Sequence, residues 1–352
     1  MLTSHFDYHL PNDRIAQEPV RPRDHSRLLV LDRTAGTWTH HRFYDIGTFL
    51  RPNDLLVVNE SKVFKARLRG RFRRDDPVVA STRRRPDQDV EIFLLRPEGS
   101  RWLALAKPGR IISVGSIIAF ADGISCNVIA KLDDGTIAID FHASANDIFA
   151  WTDKAGEIPT PPYVERAKPS ADDYQTVYAR TTGSVAAPTA GFHFTPELIQ
   201  SLKDAGIRFA TVTLHVGLGT FRPIKTETLE EHVMHEEWID MPKETRNAIV
   251  ATKQSGGRVI AVGTTTVRAL ESDVEHGLTD IFITPGYRFK AVDGLITNFH
   301  LPKSSLLVLV SSFVGASRPD SDEGRRIALR AYEDAIREGY RFYSFGDAML
   351  IV

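Results

Sequence analysis

The stretch from Ala187 to Arg222 restricts the possible folds most, because it joins a Gly-Pro turn, a short helix, an apolar strand and a second glycine turn. Pro188 and Gly191 punctuate its start, and Thr195-Pro196-Glu197 then offers an N-cap followed by a proline suited to the first helical position. Leu198, Ile199 and Leu202 give the helix its apolar positions, Gly206 stands where a left-handed cap belongs, and Ile207 to Leu214 reads as a buried strand. Each turn also sets a histidine near glycine: His193 after Gly191, and His215 before Gly217 and Gly219. Thr220 and Arg222 follow, offering a hydroxyl and a fork of donors to an anion. A helix of about eight residues is about 12 Å long, so a strand running back along it returns His215 toward His193, within reach of one ligand. Imidazoles so placed suit general acid or base work; the other reading is that they are packed, hydrogen-bonded parts of the core.

At 352 residues the chain is long enough for two domains, and its single cysteine, Cys126, allows neither an internal disulfide nor a multi-cysteine zinc site. A small buried residue in a reducing, cytoplasmic setting is the expectation for it. Met1 to Leu10 lacks the apolar core of a secretion signal, and the apolar run Leu306 to Val310 is too short to span a bilayer, so no membrane is expected. Lys and Arg number 44 against 45 Asp and Glu, so any nucleic-acid surface must be local.

Leu28 to Asp32 and Trp38 to Phe43 read as strands, Asp45 to Leu50 as a short helix, and Leu55 to Asn59 as an apolar strand with a polar end. Open α/β sheets hold ligands at such ends, so Asn59 either faces a ligand or caps a turn. From Lys62 to Arg74 the chain is basic with no acid, and period two sets Arg67, Arg69, Arg71 and Arg73 on one strand face opposite Leu68 and Phe72. That row suits phosphates, or is the solvated face of an edge strand. Short strands at Val90 to Leu95, Trp102 to Ala106, Ser116 to Phe120, Ser125 to Ala130 and Thr136 to Phe141 follow without helices between them. They predict a small β-barrel at 63–154 inserted into an α/β main domain formed by 1–62 and 155–352.

Beyond the central stretch, His232 and His235 share a face if their run is helical and, with Glu237 nearby, have a geometry able to hold a metal; the run also reads as extended. Arg258 to Val262 is a buried strand, after which Gly263-Thr264-Thr265-Thr266 opens a helix carrying Arg268, a setting for an anion or a ribose. Asp280 to Ile283 and Leu295 to Phe299 read as strands, the second leading past Asn298 to His300. Leu306 to Phe313 and Arg325 to Glu338 read as helices, and Tyr340 to Ile351 as a closing strand carrying Asp347.

These strings, taken in order, resemble the S-adenosylmethionine:tRNA ribosyltransferase-isomerase family of queuosine biosynthesis. The resemblance runs end to end, through Asp54 to Asn59, Ala187 to Phe194, Val212 to Phe221, His232-x-x-His235-x-Glu237, Ala261 to Arg268, Thr297 to Pro302 and Tyr340 to Met349. One departure lies at Asp87-Gln88-Asp89, before Val90-Glu91-Ile92, where the family has a Gly-Lys pair. The resemblance implies transfer of the ribosyl part of S-adenosylmethionine to 7-aminomethyl-7-deazaguanine at the tRNA wobble position, forming epoxyqueuosine and releasing adenine and methionine. S-adenosylmethionine is then a co-substrate, and no further cofactor or metal is expected. Joined to the residue reading, it points to His193, His215, His235 and Glu237 for proton transfer. It points to Asn59, Thr189, Arg222, Thr264, Thr265, Arg268, Asn298 and Asp347 for substrate binding, and to Arg67, Arg69, Arg71 and Arg73 for the tRNA anticodon stem-loop. Two readings from other classes stand beside it: a metal-dependent hydrolase built on His232, His235 and Glu237, and a tRNA-binding module without chemistry, resting on the arginine row.

Overall fold

The structure, a computed structural model, describes residues 1–73, 88–159, 163–164, 170–217, 223–316, 318 and 320–352. It separates into two compact units, one of Met1–Lys62, Thr160–Thr181 and Ala187–Val352, the other of Val63–Pro159 and Thr182–Ala186. In chain order the elements begin with β1 (Arg27–Asp32), β2 (Thr37–Arg42), β3 (Leu55–Asn59), β4 (Ser61–Val63), β5 (Arg67–Phe72), β6 (Asp89–Glu98), β7 (Arg101–Lys107), β8 (Ile117–Ala119), β9 (Ser125–Lys131), β10 (Ile137–Asp140) and α1 (Ala145–Ala155). They continue with β11 (Thr181–Ser184), α2 (Pro196–Asp204), β12 (Arg208–His215), β13 (Glu237–Asp240), α3 (Lys243–Gln254), β14 (Val259–Val262), α4 (Thr264–Glu271), β15 (His276–Thr279), β16 (Gly294–Asn298), α5 (Ser305–Gly315), α6 (Ser321–Arg337) and β17 (Ala348–Ile351). Strands β4 and β11 pair with each other.

The first unit is an α/β domain on a nine-stranded sheet of order β15-β13-β12-β3-β14-β16-β17-β1-β2. Its centre, β12-β3-β14-β16, is parallel throughout. Strands β3, β14 and β16 are buried along their whole length, the reason Leu55 to Val58, Val259 to Val262 and Leu295 to Ile296 are apolar without alternation. Leu56, Val58, Ile260, Val262 and Ile296 form one core with Leu198 and Leu202 of α2. Because the four strands run the same way, their carboxyl ends, Asn59, His215, Val262 and Asn298, share one edge. Strand β17 runs against β16 with Ala348 opposite Asn298, and β1 runs with β17 from Leu28, so the segments preceding both reach that same edge.

The second unit is a closed six-stranded barrel of order β10-β7-β6-β5-β8-β9. Leu68, Gly70 and Phe72 of β5 are buried and Arg69 and Arg71 exposed, the alternation that period two requires. An α/β main domain with an inserted small β-barrel is therefore the fold, as the spacing of apolar runs and turns predicts.

Four local expectations are corrected. The barrel segment carries a helix, α1, which Ser144 caps by accepting the Asp147 N–H and which buries Ile148 and Thr152. The run from His232 to Glu236 is neither helix nor strand, so its two histidines share no helical face. The strand expected at Asp280 to Ile283 ends instead at Thr279, where pairing with Glu237 stops. Only Ala348–Ile351 of the expected closing strand is extended: Tyr343 adopts a left-handed φ of 75°, and the Asp347 carboxylate accepts the N–H groups of Arg27 and Arg341, folding the preceding residues into a turn.

Helices α5 and α6 meet at glycine. A Cβ on Gly324 would lie 2.3 Å from both Cα and N of Gly315, backbone atoms that cannot step aside. Gly324→Ala is expected to cost about 1–3 kcal/mol as overpacking. Chemical denaturation of the two proteins side by side checks this; equal midpoints would show that the helix pair adjusts freely.

Candidate functional site

A cavity lies at the carboxyl ends of β14 and β16. Gly263 turns the chain from β14 into α4 with φ 96°, a conformation natural to glycine alone, while its N–H bonds Ile296 O at 2.8 Å. This turn delivers Thr264 and Thr265 to the cavity wall at the amino end of a buried helix. Asn298 and His300 come from the end of β16, Thr189 from the short helical turn Thr189–His193, and Tyr343 from the turn before β17.

Behind this wall runs a buried polar chain. Thr189 Oγ1 donates to Asn298 Oδ1 at 2.9 Å, which commits the amide nitrogen of Asn298 to His193 Nε2 at 3.1 Å. Nε2 therefore accepts, and the proton of a neutral imidazole sits on Nδ1, which reaches Ser26 Oγ at 2.7 Å. Burial, then the charges of Arg341 and Arg23, push the His193 pKa down to about 3. The Phe43 ring, 5.0 Å away, supplies part of the apolar surroundings. His193 thus stands one residue back from the cavity, holding Asn298.

His300 does line the cavity, with Nε2 on Thr297 Oγ1 at 2.9 Å, and burial lowers its pKa to about 3. Neither periodicity nor spacing singles out His300; the signal is its position two residues past a strand's carboxyl end. Tyr163, Ser304, Tyr343 and Ser344 also line the cavity without having been expected there. Tyr163 hydrogen-bonds Ser344, and its ring lies 4.0 Å from that of Tyr343. These residues sit in turns and loops, where sequence carries no period.

His215 ends β12 stacked on Trp238 at 5.0 Å, with Nδ1 3.3 Å from Ser61 Oγ; burial lowers its pKa to about 4. Its neighbour Val216, not His215, lines the cavity, and His193 is also absent from the wall, so one described cavity does not gather both histidines. Asn59 is wholly buried and mimics backbone: its amide donates to Leu214 O at 2.9 Å and accepts from Leu214 N and Ser61 N, tying β3 to β12. Asp347 serves the turn before β17 in the same way. Arg222 lies outside the described residues.

A second cavity is lined by Lys225, His232, His235, Glu237 and Arg268. Glu237 and Arg268 form an ion pair with both side chains only 4% exposed, and Glu237 Oε1 also accepts the Gly217 N–H at 3.1 Å. His235 is exposed, and partial burial beside His235 lowers the pKa of His232. No group of three His, Cys, Asp or Glu able to hold a metal occurs among the described residues.

In the barrel unit, Arg69 pairs with Glu157 at 2.9 Å and Arg71 with Asp89 at 2.8 Å. The row is outward-facing, as period two requires, yet the fold brings it acids that its own sequence neighbourhood lacks. Arg67 is half-buried and Arg73 exposed.

Comparison with known proteins bears on this geometry. The family model described as "Queuosine biosynthesis protein" matches residues 3–351. S-adenosylmethionine:tRNA ribosyltransferase-isomerase of Moorella thermoacetica is 48% identical over all of both chains. The enzyme of the same name from Heliobacterium modesticaldum is 47% identical over 99% of this chain and 98% of its own. A crystal structure of S-adenosylmethionine tRNA ribosyltransferase from Thermotoga maritima aligns over 99% of this chain and all of its own with TM-score 0.54 and 36% identity.

The buried imidazole of His193 has a measurable consequence. Below the usual pKa of 6.5 the unfolded chain takes up a proton at this residue that the folded chain refuses until about pH 3, so stability falls as pH falls across that window. In His193→Gln this proton is gone, and the pH slope of unfolding free energy between pH 6 and 4 is expected to be shallower by up to about 1.4 kcal/mol per pH unit. Urea titrations at several pH values measure it; identical slopes would mean that His193 protonates in the folded state.

Proposed function

The chain belongs to the queuosine biosynthesis protein family, and on that premise we propose that it is an S-adenosylmethionine:tRNA ribosyltransferase-isomerase. It transfers and isomerises the ribosyl moiety of S-adenosylmethionine onto 7-aminomethyl-7-deazaguanine at the wobble position of tRNA, giving epoxyqueuosine, adenine and methionine. S-adenosylmethionine is consumed as a co-substrate, and the anticodon stem-loop carrying the deazaguanine precursor is the acceptor. The observation that carries this reading to a site is the cavity at the ends of β14 and β16, where Thr264, Thr265, Asn298 and His300 meet.

The chemistry needs a base for the proton beside the sulfonium, an acid for departing adenine and a group that deprotonates the attacking aminomethyl nitrogen. A base must be unprotonated to act, and burial keeps His300 and His215 neutral at pH 7. Neutral imidazoles also add no positive charge where a sulfonium cation is to be admitted. In this reading His300, which lines the cavity, moves protons, and His193 is a positioning residue acting through Asn298. The hydroxyls of Thr189, Thr264 and Thr265 and the Asn298 amide orient the ribosyl donor. Arg268 binds through the second cavity, which Glu237 and His235 border. Catalysis proceeds in the cytoplasm, without a metal.

Incubation with S-adenosylmethionine and a precursor-bearing stem-loop is expected to release adenine and methionine in step with modified nucleoside, with a chelator present. Mass analysis of the digested RNA follows the product; activity lost on chelation and restored by zinc would overturn the metal-free reaction.

The arginine row of the barrel is proposed to meet tRNA phosphates, which displace the exposed acids Glu157 and Asp89, since solvent and salt screen exposed ion pairs and leave them weak. Replacing Arg67, Arg69, Arg71 and Arg73 together by Gln is expected to lower the salt slope of tRNA binding by up to about four units, at about 0.9 per phosphate in duplex regions. An unchanged slope would assign the row to solvation of the barrel face.

A further inference from the structure

Arg268, on the wall of the second cavity, carries a buried donor with no hydrogen-bond partner among the described residues. The guanidinium is buried; Nη1 is committed to Glu237 and Nε bonds Ile281 O at 3.3 Å, but Nη2 has no hydrogen-bond partner among the described residues. A buried donor left unpaired is costly, and native structures keep such groups where something else completes them. Three residues earlier on α4, Thr265 Oγ1 is likewise buried without a partner among the described residues, and Thr265 lines the first cavity. Leu306, at the start of α5, lines both cavities, so the two are neighbours that share a wall.

The sign of the second cavity follows from its lining. Glu237 is its one acid among the described residues, and that carboxylate already receives the Arg268 guanidinium and the Gly217 N–H. The other ionisable residues on its wall, Lys225, His232 and His235, carry positive charge or none. We infer that this cavity is an anion subsite of the same active centre, in which Arg268 Nη2 and Lys225 receive an oxyanion of a substrate. The chemistry is shared by two sources: the carboxylate at the amino-acid end of S-adenosylmethionine and a phosphodiester of the tRNA. The inference rests on the ribosyltransferase reading for which substrates are offered, while the need for an anion comes from the cavity itself.

Two variants test it. Lys225→Met alters an exposed position on the rim and is expected to leave the fold intact. The paired change Glu237→Gln with Arg268→Gln removes both charges together, so that no lone buried charge remains. Calorimetry with S-adenosylmethionine and with its analogue lacking the carboxylate gives one readout, and the salt slope of stem-loop binding gives the other. If the carboxylate is the ligand, the analogue binds wild type at least about tenfold more weakly, and that ratio shrinks toward one in the variants. If a phosphodiester is the ligand, the ratio is unchanged and the slope falls by about 0.7–0.9 units for each phosphate no longer neutralised. Ratio and slope both unchanged in Lys225→Met and in the folded pair variant would overturn the subsite. Adenine release by wild type in the same preparation separates the two levels: its absence counts against the reaction, whereas its presence with ratio and slope unmoved counts against the subsite alone.

Discussion

The hydrogen-bonded series Thr189–Asn298–His193–Ser26 is the constraint on which the centre of the α/β unit depends. It joins three stretches of chain separated by more than a hundred residues: the turn before α2, the end of β16 and the residue preceding β1. Each member is buried or half-buried, so none can exchange its partner for water without moving the backbone that carries it. A buried polar series is stable when complete and worse than an apolar core when broken, which forces all three segments into one arrangement. Asn298 is consequently fixed at the cavity wall in one orientation, its oxygen toward Thr189 and its nitrogen toward His193.

The sheet explains why these residues meet. Nothing in Gly263-Thr264-Thr265 or Asn298-Phe299-His300 specifies a site on its own, since similar strings occur wherever a strand gives way to a turn. Parallel pairing of β12, β3, β14 and β16 sets four carboxyl ends side by side, and the reversal at β17 adds the turn that holds Tyr343 and Asp347. Apolar strand interiors thus specify the alignment, and the polar residues one step beyond them become the site.

Much of this was legible in the sequence, and the exceptions have physical causes. Leu55 to Asn59 and Ile207 to Leu214 are read as buried strands because continuous apolar runs of that length have few other uses, and the barrel shows through the spacing of its turns. Residues 340–347 resist the same reading: Tyr340, Phe342 and Phe345 are apolar and buried as in a strand, but the Asp347 carboxylate captures two N–H groups and bends the backbone, a tertiary event without periodic signature. His193 and His215 are identified as important without their roles being distinguishable, because the difference lies in partners. One histidine is enclosed by Ser26, Asn298 and Phe43, the other stacked on Trp238. Asn59 is the plainest case of a residue type that sequence cannot resolve, since an amide that completes backbone hydrogen bonds and one that faces a ligand look alike until the neighbouring strand is in place.

Glu237 and Arg268 carry the opposite electrostatic lesson from the histidines. At His193 and His300 desolvation is the largest effect and the imidazoles give up their charge, whereas a guanidinium cannot do so and must instead be compensated. Removing two ions from water costs several kcal/mol each in typical proteins, and their mutual attraction repays it only where further hydrogen bonds complete both groups. Replacing a buried ion pair by apolar residues of similar volume is often neutral or stabilising, so stability alone does not call for this one. The ion pair therefore makes sense chiefly through what the guanidinium still has to offer, a buried donor beside a cavity with basic walls. The same helix that presents two threonines to one cavity keeps a fixed charge for the other, joining an uncharged region that tolerates a cation to a charged region that calls for an anion.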